Sequence, residues 1–384
     1  MALARVHQVR ARHLLTAIEA VRTLGTPTTA QVIEHTGLSR PSVISLLEEL
    51  EELGWVAVED PVPDGSGGRP PQRFRFRVEA GRLVGVDVGL HRVTAVLTDL
   101  AGAVIASDEA AVAPEALPPE RLAALDSVVA RLLDQARLDA TAVWAAAVAL
   151  TGPVTPTGAT LPGGPLPGWG SVDLVAHVRA RFGWTVQVVN DVMSALLAES
   201  TWGAAQGSQD VVFVLASVRT GAAALVSGRL LRGHAGIAGE IGALPDVHWL
   251  RALEDLTGQD DDISLQEQQE LIRAVFDAAR AGDTQAQERV EAYARDVATG
   301  AAALTLTTDP EVLVVGGGQA RWADQWVDAF SARVRANVIR MPQVRVSTLG
   351  GDHVARGAVR LALDEVEKTY FSTTVLAVPA QGFR

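Results

Sequence analysis

Between Leu83 and Gly102 the chain reads LVGVDVGLHRVTAVLTDLAG, two apolar runs of period two held apart by Gly89, Leu90 and His91. Alternate side chains of a strand face opposite sides, so this spacing predicts a buried strand, a tight turn at Gly89 to His91 and a second strand. Asp87 ends the first strand and Gly89 follows, the layout of a hairpin that can wrap phosphate. Downstream, apolar runs that read as strands (143–150, 186–189, 311–315, 344–348) alternate with helical patterns (120–138, 174–181, 191–199, 353–366). A second β-rich block, 211–231, opens a second half. Strands alternating with helices, begun by a hairpin in each half, predict an α/β protein of two lobes around a cleft.

A chain of 384 residues is long for one unit, and the length predicts two or three, each able to bury a core. The longest wholly apolar run, Ala142 to Leu150, falls far short of the roughly 20 residues a membrane-spanning helix requires. The opening MALARVHQVR lacks the apolar stretch of a secretory signal, so the expected location is the cytoplasm and no membrane partner is expected. The absence of cysteine removes disulfides, thiolate nucleophiles and Cys-based zinc sites together. A net charge of -12 argues against indiscriminate nucleic-acid binding by the chain as a whole. Charge acts locally, however. Up to Val78 the arginines balance the Asp and Glu, so the acidic surplus lies further on.

That first segment reads as a DNA-recognition module. Leu14, Leu15, Ile18, Val21 and Leu24 form one helical stripe ending at Gly25. A short helix follows from Thr28 or Thr29 to His35, Gly37 breaks it, and Ser39 caps a third helix with Val43, Leu46, Leu47, Leu50 and Leu53 on its buried side. A strand from Trp55 to Glu59, a Gly-rich tip GSGGRP and a returning strand from Gln72 to Val78, with Arg73, Arg75 and Arg77 on one face, complete a winged helix-turn-helix. The third helix would enter the major groove by its first turn, with Arg40, Ser42 and Ser45 toward DNA and Arg69 at the wing tip reaching a phosphate or the minor groove. The predicted division is residues 1–78 for DNA and 82–384 for the two lobes.

The succession of winged helix, GVDVG, ALTGPV, LPGW, VVNDVMSALLAE, GRLLRGHAGIAGEIG and VVGGG resembles the ROK family of repressors and sugar kinases. The resemblance covers nearly the whole chain and implies the actin-like, ribonuclease H-like sugar kinase fold. The added N-terminal module is similar to that of the family's transcriptional repressors. By the resemblance, Asp191 stands at the catalytic base, where a helix dipole would favour the carboxylate. Asn190 and Glu240 match groups that hold sugar hydroxyls, and Gly152 and Gly168 lie in loops lining the cleft. Taken alone, Asn190 and Asp191 also read as a helix cap.

The phosphate side departs from the family pattern. A bulky Leu90 replaces the second turn glycine of the hairpin, and His91 replaces a hydroxyl. The second phosphate loop is Ser217-Val218-Arg219-Thr220-Gly221-Ala222-Ala223, in which only Gly221 keeps the backbone freedom that cradling phosphate requires. Arg219 could still attract an anion. Gly316 to Gly318 stand where the family packs adenine, or form a plain strand-to-helix turn. Ala243 replaces a zinc-ligating histidine, His248 has no partners at metal spacing, the metal loop is cut short, and Arg251 falls near the place of the family's next glutamate. We therefore expect no zinc, no cofactor and no kinase turnover. The expected function is a homodimeric or higher-order repressor that reads two-fold operator DNA and answers to a sugar or sugar phosphate. The alternatives are an ATP-dependent sugar kinase carrying a regulatory domain and a regulator that has lost its sugar.

Overall fold

The computed structural model describes residues 2–59, 71–258 and 265–371. Helix α1 (Ala2–Leu24) begins well before the stripe that announces it, and its Leu14, Ala17, Ile18 and Val21 are buried. Helix α2 (Thr29–Thr36) is fixed by its ends. Thr28 Oγ1 accepts from the Gln31 backbone N–H while the Gln31 side chain accepts from that of Thr28, and Gly37 closes the helix at φ 67°. Helix α3 (Arg40–Glu52) has Ser39 as N-cap and Pro41 in its first turn, and Val43, Leu46, Leu47 and Leu50 meet α1 and α2 in one core. Strands β1 (Val56–Glu59) and β2 (Arg73–Phe76) pair antiparallel as the wing, whose tip, Arg69 included, lies outside the described residues.

The arginines of β2 and its exit do not form a free basic face, contrary to their spacing. Arg73 donates to the Thr26 carbonyl at 2.9 Å. Arg75 makes two 2.8 Å hydrogen bonds to Glu79, and Arg77 lies 3.5 Å from the same carboxylate. The Arg75 guanidinium pulls the Glu79 carboxyl down to about 2.

The two lobes repeat one plan. In the first, β3 (Arg82–Val88), β4 (Arg92–Thr98) and β5 (Val104–Ala111) form an antiparallel meander. Helix α4 (Pro118–Ala136) leads to β6 (Val143–Leu150), parallel to β3, and α5 (Leu174–Phe182) leads to β7 (Val186–Asn190), so the order is β5-β4-β3-β6-β7. Helix α6 (Asp191–Trp202) crosses to the second lobe. There β8 (Val211–Leu215), β9 (Gly221–Val226) and β10 (Arg229–Leu230) form the meander. After α7 (Ala252–Thr257), α8 (Leu265–Arg280) and α9 (Thr284–Thr308) comes β11 (Val312–Gly316), then α10 (Ala323–Asn337) and β12 (Gln343–Val346), giving β10-β9-β8-β11-β12.

The opening hairpin is buried on both faces, not the one that its alternation implies: β3 and β4 show no exposed residue. Its tip is tied down by Arg121 of α4, fully buried, which donates to the carbonyls of Gly89 (2.7 Å), Ala113 (2.8 Å) and Pro114 (2.9 Å).

The last helix, α11 (His353–Tyr370), returns to the first lobe and lies on β3, β6 and α6. Gly357 makes the fit possible, because a Cβ there would collide with the Ser194 carbonyl of α6. The far end of α11 meets the DNA-recognition module. Trp55, wholly buried, has the Phe371 ring at 4.6 Å, the Trp144 ring at 5.6 Å and the Tyr370 ring at 6.1 Å. Arg22 of α1 lies over the Phe371 ring at 5.7 Å and donates to Glu367 at 2.7 Å.

Candidate effector cleft and DNA-reading helix

The C-terminal ends of β3, β6 and β7 converge beside the start of α6, the edge of an α/β sheet at which ligands bind. Asn190 is the N-cap of α6, and its Oδ1 accepts from the backbone N–H of Val192 (3.0 Å) and Met193 (3.1 Å). Its Nδ2 donates to the Gly152 carbonyl and to Asp191 Oδ1, both at 3.0 Å. The amide is thereby saturated, so Asn190 positions Gly152 and Asp191 and has no donor or acceptor to spare.

Asp191 also accepts from the Val192 N–H at 2.9 Å and from the Thr151 hydroxyl. Those bonds and the helix terminus favour the carboxylate, yet burial outweighs them and, with the charge of Glu240, pushes the carboxyl up to about 6. The dipole at the start of α6 does not keep this group in the ordinary carboxylate range. Glu240 is exposed on the loop after β10, on the second lobe's side of the cleft. Gly152 (φ 126°) and Gly168 (φ 73°) line a neighbouring pocket of about 360 Å³ inside the 150–171 loop. Gly152 is shared with the Asp191 cluster through Asn190, whereas Gly168 lines only the loop pocket.

After Glu240 the chain makes two short turns and buries Trp249, whose indole N–H points at the carbonyls of Asp296 (3.2 Å) and Val297 (3.3 Å) on α9. A tryptophan thus packs the wall after Glu240. His248 lies 3.5 Å from Asp296, and Arg251 is exposed at the start of α7.

Beyond Asp191 the cleft opens into a cavity of about 490 Å³ between the lobes, lined by Asp87, Leu90 and Arg92 on one side and Arg219, Arg321 and Trp322 on the other. The residues here do not fit a magnesium nucleotide as the kinases' glycine loops would. Leu90 and His91 occupy the hairpin tip, and Val218 and Arg219 present side chains where backbone N–H groups would approach phosphate. Asp87 is 8% exposed with Oδ1 unpartnered. Burial, together with the charge on Asp191, drives its carboxyl up to about 7.

On α3, Arg40 is exposed at the first turn. The two serines are more engaged than their positions imply. Ser42 Oγ lies 2.8 Å from Ser39 Oγ, and Ser45 Oγ accepts from Arg10 of α1 at 3.4 Å. Arg10 also pairs with Glu49, which adds to the face beside α3 a cation that the apolar stripe of α1 gave no reason to expect.

The ROK family model matches residues 83–247 and 250–365, and an IclR helix-turn-helix domain model matches 11–60. The chain is 31% identical over 51% of its length to the bifunctional enzyme NanE/NanK of Brucella suis, covering 37% of that protein. It is 24% identical over 53% of its length to a xylose repressor of Caldicellulosiruptor bescii, covering 51% of it. The chain therefore spans about half or less of these curated relatives. A solved ROK transcriptional regulator, described as a homologue of the Escherichia coli MLC protein, superposes with a TM-score of 0.70 at 18% identity, covering 93% of this chain and 97% of the other. The winged module followed by two lobes of one repeated plan, with the family model matched along both lobes, gives the conclusion: this chain belongs to the ROK family.

Proposed function

We propose that this protein is a DNA-binding transcriptional repressor controlled by a small carbohydrate, and that it does not turn over ATP. One observation carries the reading: the module presenting Arg40 is joined, through the buried Trp55 and the rings around it, to the helix whose other end lines the cleft. Residues 1–78 read DNA and 82–384 bind the effector. Arg40, Ser42 and Ser45 face DNA, and Arg69, outside the described residues, is assigned to DNA from the sequence alone. In the cleft Asp191 and Glu240 take hydroxyls, Asn190 and Gly152 hold Asp191 in place, and Gly168 shapes the entrance. The protein acts in the cytoplasm as a homodimer on a two-fold operator, whose half-sites match the spacing of its winged helices. Among the described residues no helix is long and apolar enough to cross a membrane.

The test is a mobility shift of the full chain on DNA upstream of its own gene. Arg40→Ala should weaken binding by about tenfold, within the range of one good base contact or charged phosphate contact. Absence of any shift by the intact protein at low salt overturns the reading.

A second reading, a sugar kinase with a regulatory domain, is favoured by Asp191 at the start of α6. A coupled assay over hexoses and amino sugars separates the two: phosphorylation by the wild type that Asp191→Asn abolishes would establish the kinase. The repressor reading predicts no difference between them.

A further inference from the structure

The cavity beyond Asp191 has the wrong lining for a nucleotide and a specific lining for something else. Three guanidiniums border it, one from the first lobe and two from the second. Arg219, on the loop between β8 and β9, is exposed and makes no hydrogen bond or ion pair among the described residues. Arg321 lies over the Trp322 ring at 5.1 Å and commits only its Nε, to the Gly318 carbonyl at 2.9 Å. Arg92 donates to the Gly351 carbonyl at 2.9 Å, ahead of α11, and pairs with Glu109 at 3.8 Å, so it is the most engaged of the three. In a chain of net charge -12, an unpaired Arg219 and an Arg321 with both terminal nitrogens uncommitted put positive charge on one cavity that a counter-charge would balance. At the deep end of the same cavity stand Asp191 and Asp87, the latter buried with one oxygen unpartnered, suited to ligand hydroxyls.

We propose that the half of the cleft that holds nucleotide phosphates in the kinases here receives the phosphate of the effector itself, so that the effector is a phosphorylated sugar. Its hydroxyls meet Asp191 and Asp87, and its phosphate lies among Arg219, Arg321 and Arg92. This deepens the carbohydrate-controlled reading and rests on it. Guanidinium is the side chain best matched to a phosphate monoester, since its planar fork offers paired donors. The volume lies within the usual range for small-molecule sites. The cations come from both lobes, so a dianion between them replaces mutual repulsion with a shared partner. The phosphate, rather than the sugar ring alone, then draws the lobes together.

The experiment is calorimetric titration of the full-length protein, free of DNA, with inorganic phosphate, AMP, and a panel of hexose and hexosamine 6-phosphates each beside its free sugar. The expected result is one sugar phosphate binding at least tenfold more tightly than its free sugar. Arg219→Gln, a surface change, should remove most of that advantage and leave free-sugar affinity unaltered. Equal affinity for a sugar and its phosphate, an Arg219→Gln variant with the advantage intact, or binding of AMP without any sugar phosphate would each overturn the proposal. Operator binding without ligand is measured separately, so failure of the phosphate site and failure of the repressor reading give different outcomes.

Discussion

The two ends of α11 are built on opposite principles. At its C-terminal end the helix is held by ring packing and shared ion pairs: Phe371 and Tyr370 close on Trp55, and further along Arg360 and Arg22 share Glu367. At its N-terminal end the polar groups wait. His353 spends Nδ1 on the Gly350 carbonyl at 2.9 Å, while its Nε2 and the Nε of Arg356 are buried without partners. The packed end fixes the helix to the DNA-recognition module, and the other end leaves polar groups at the cleft. Between them α11 lies on α6, whose first residue is Asp191, so a ligand that orders the cleft acts on a rod already fixed to the DNA-reading module.

The largest expected effect comes from breaking the packed end. Trp55→Ala removes a wholly buried indole and should cost about 3 to 5 kcal/mol, read by chemical denaturation. A loss below 1 kcal/mol would mean that the module and the lobe are not packed as described. At the cleft end, Asp87 holds its proton to about 7, whereas an aspartate in the unfolded chain ionises near about 3.9. The native state therefore binds more protons in that window, and stability falls as pH rises through it. Asp87→Asn should be more stable than wild type at pH 8, on the order of 2 kcal/mol, with the gain gone by about pH 4. A difference independent of pH would count against the burial of this carboxyl. Between the ends, Gly357→Ala forces α11 off α6 and should cost about 1 to 3 kcal/mol. The smallest effect is Arg22→Ala, which removes a half-exposed ion pair and a ring contact, about 1 kcal/mol by denaturation.

Much of this was legible in the residues. The Ser39 cap, Gly37 and the Val43-Leu46-Leu47-Leu50 stripe place the start of the third helix to the residue, and the inner strands announce themselves as apolar runs. Strand β5 does not, because VIASDEAA is an edge with small and acidic residues and five of its positions exposed, so burial writes no pattern into it. The candidate cluster was legible as a location and misleading as chemistry. A helix start favours a carboxylate, but the surrounding walls, supplied by segments far apart in the chain, decide that Asp191 is pushed up to about 6. For the same reason Trp55 reads only as the start of a wing strand. Its partners Trp144, Tyr370 and Phe371 lie up to hundreds of residues away, and nothing local distinguishes a tryptophan that closes a small domain from one that joins two.

The central claim is that occupancy of the cleft reaches the DNA-reading helix. Fluorescence anisotropy on upstream DNA, with and without the carbohydrate that most raises the melting temperature, measures this directly. The account predicts that operator affinity falls about 5- to 150-fold when the cleft is saturated, the span of ordinary coupling energies. Unchanged affinity with the ligand demonstrably bound would contradict it.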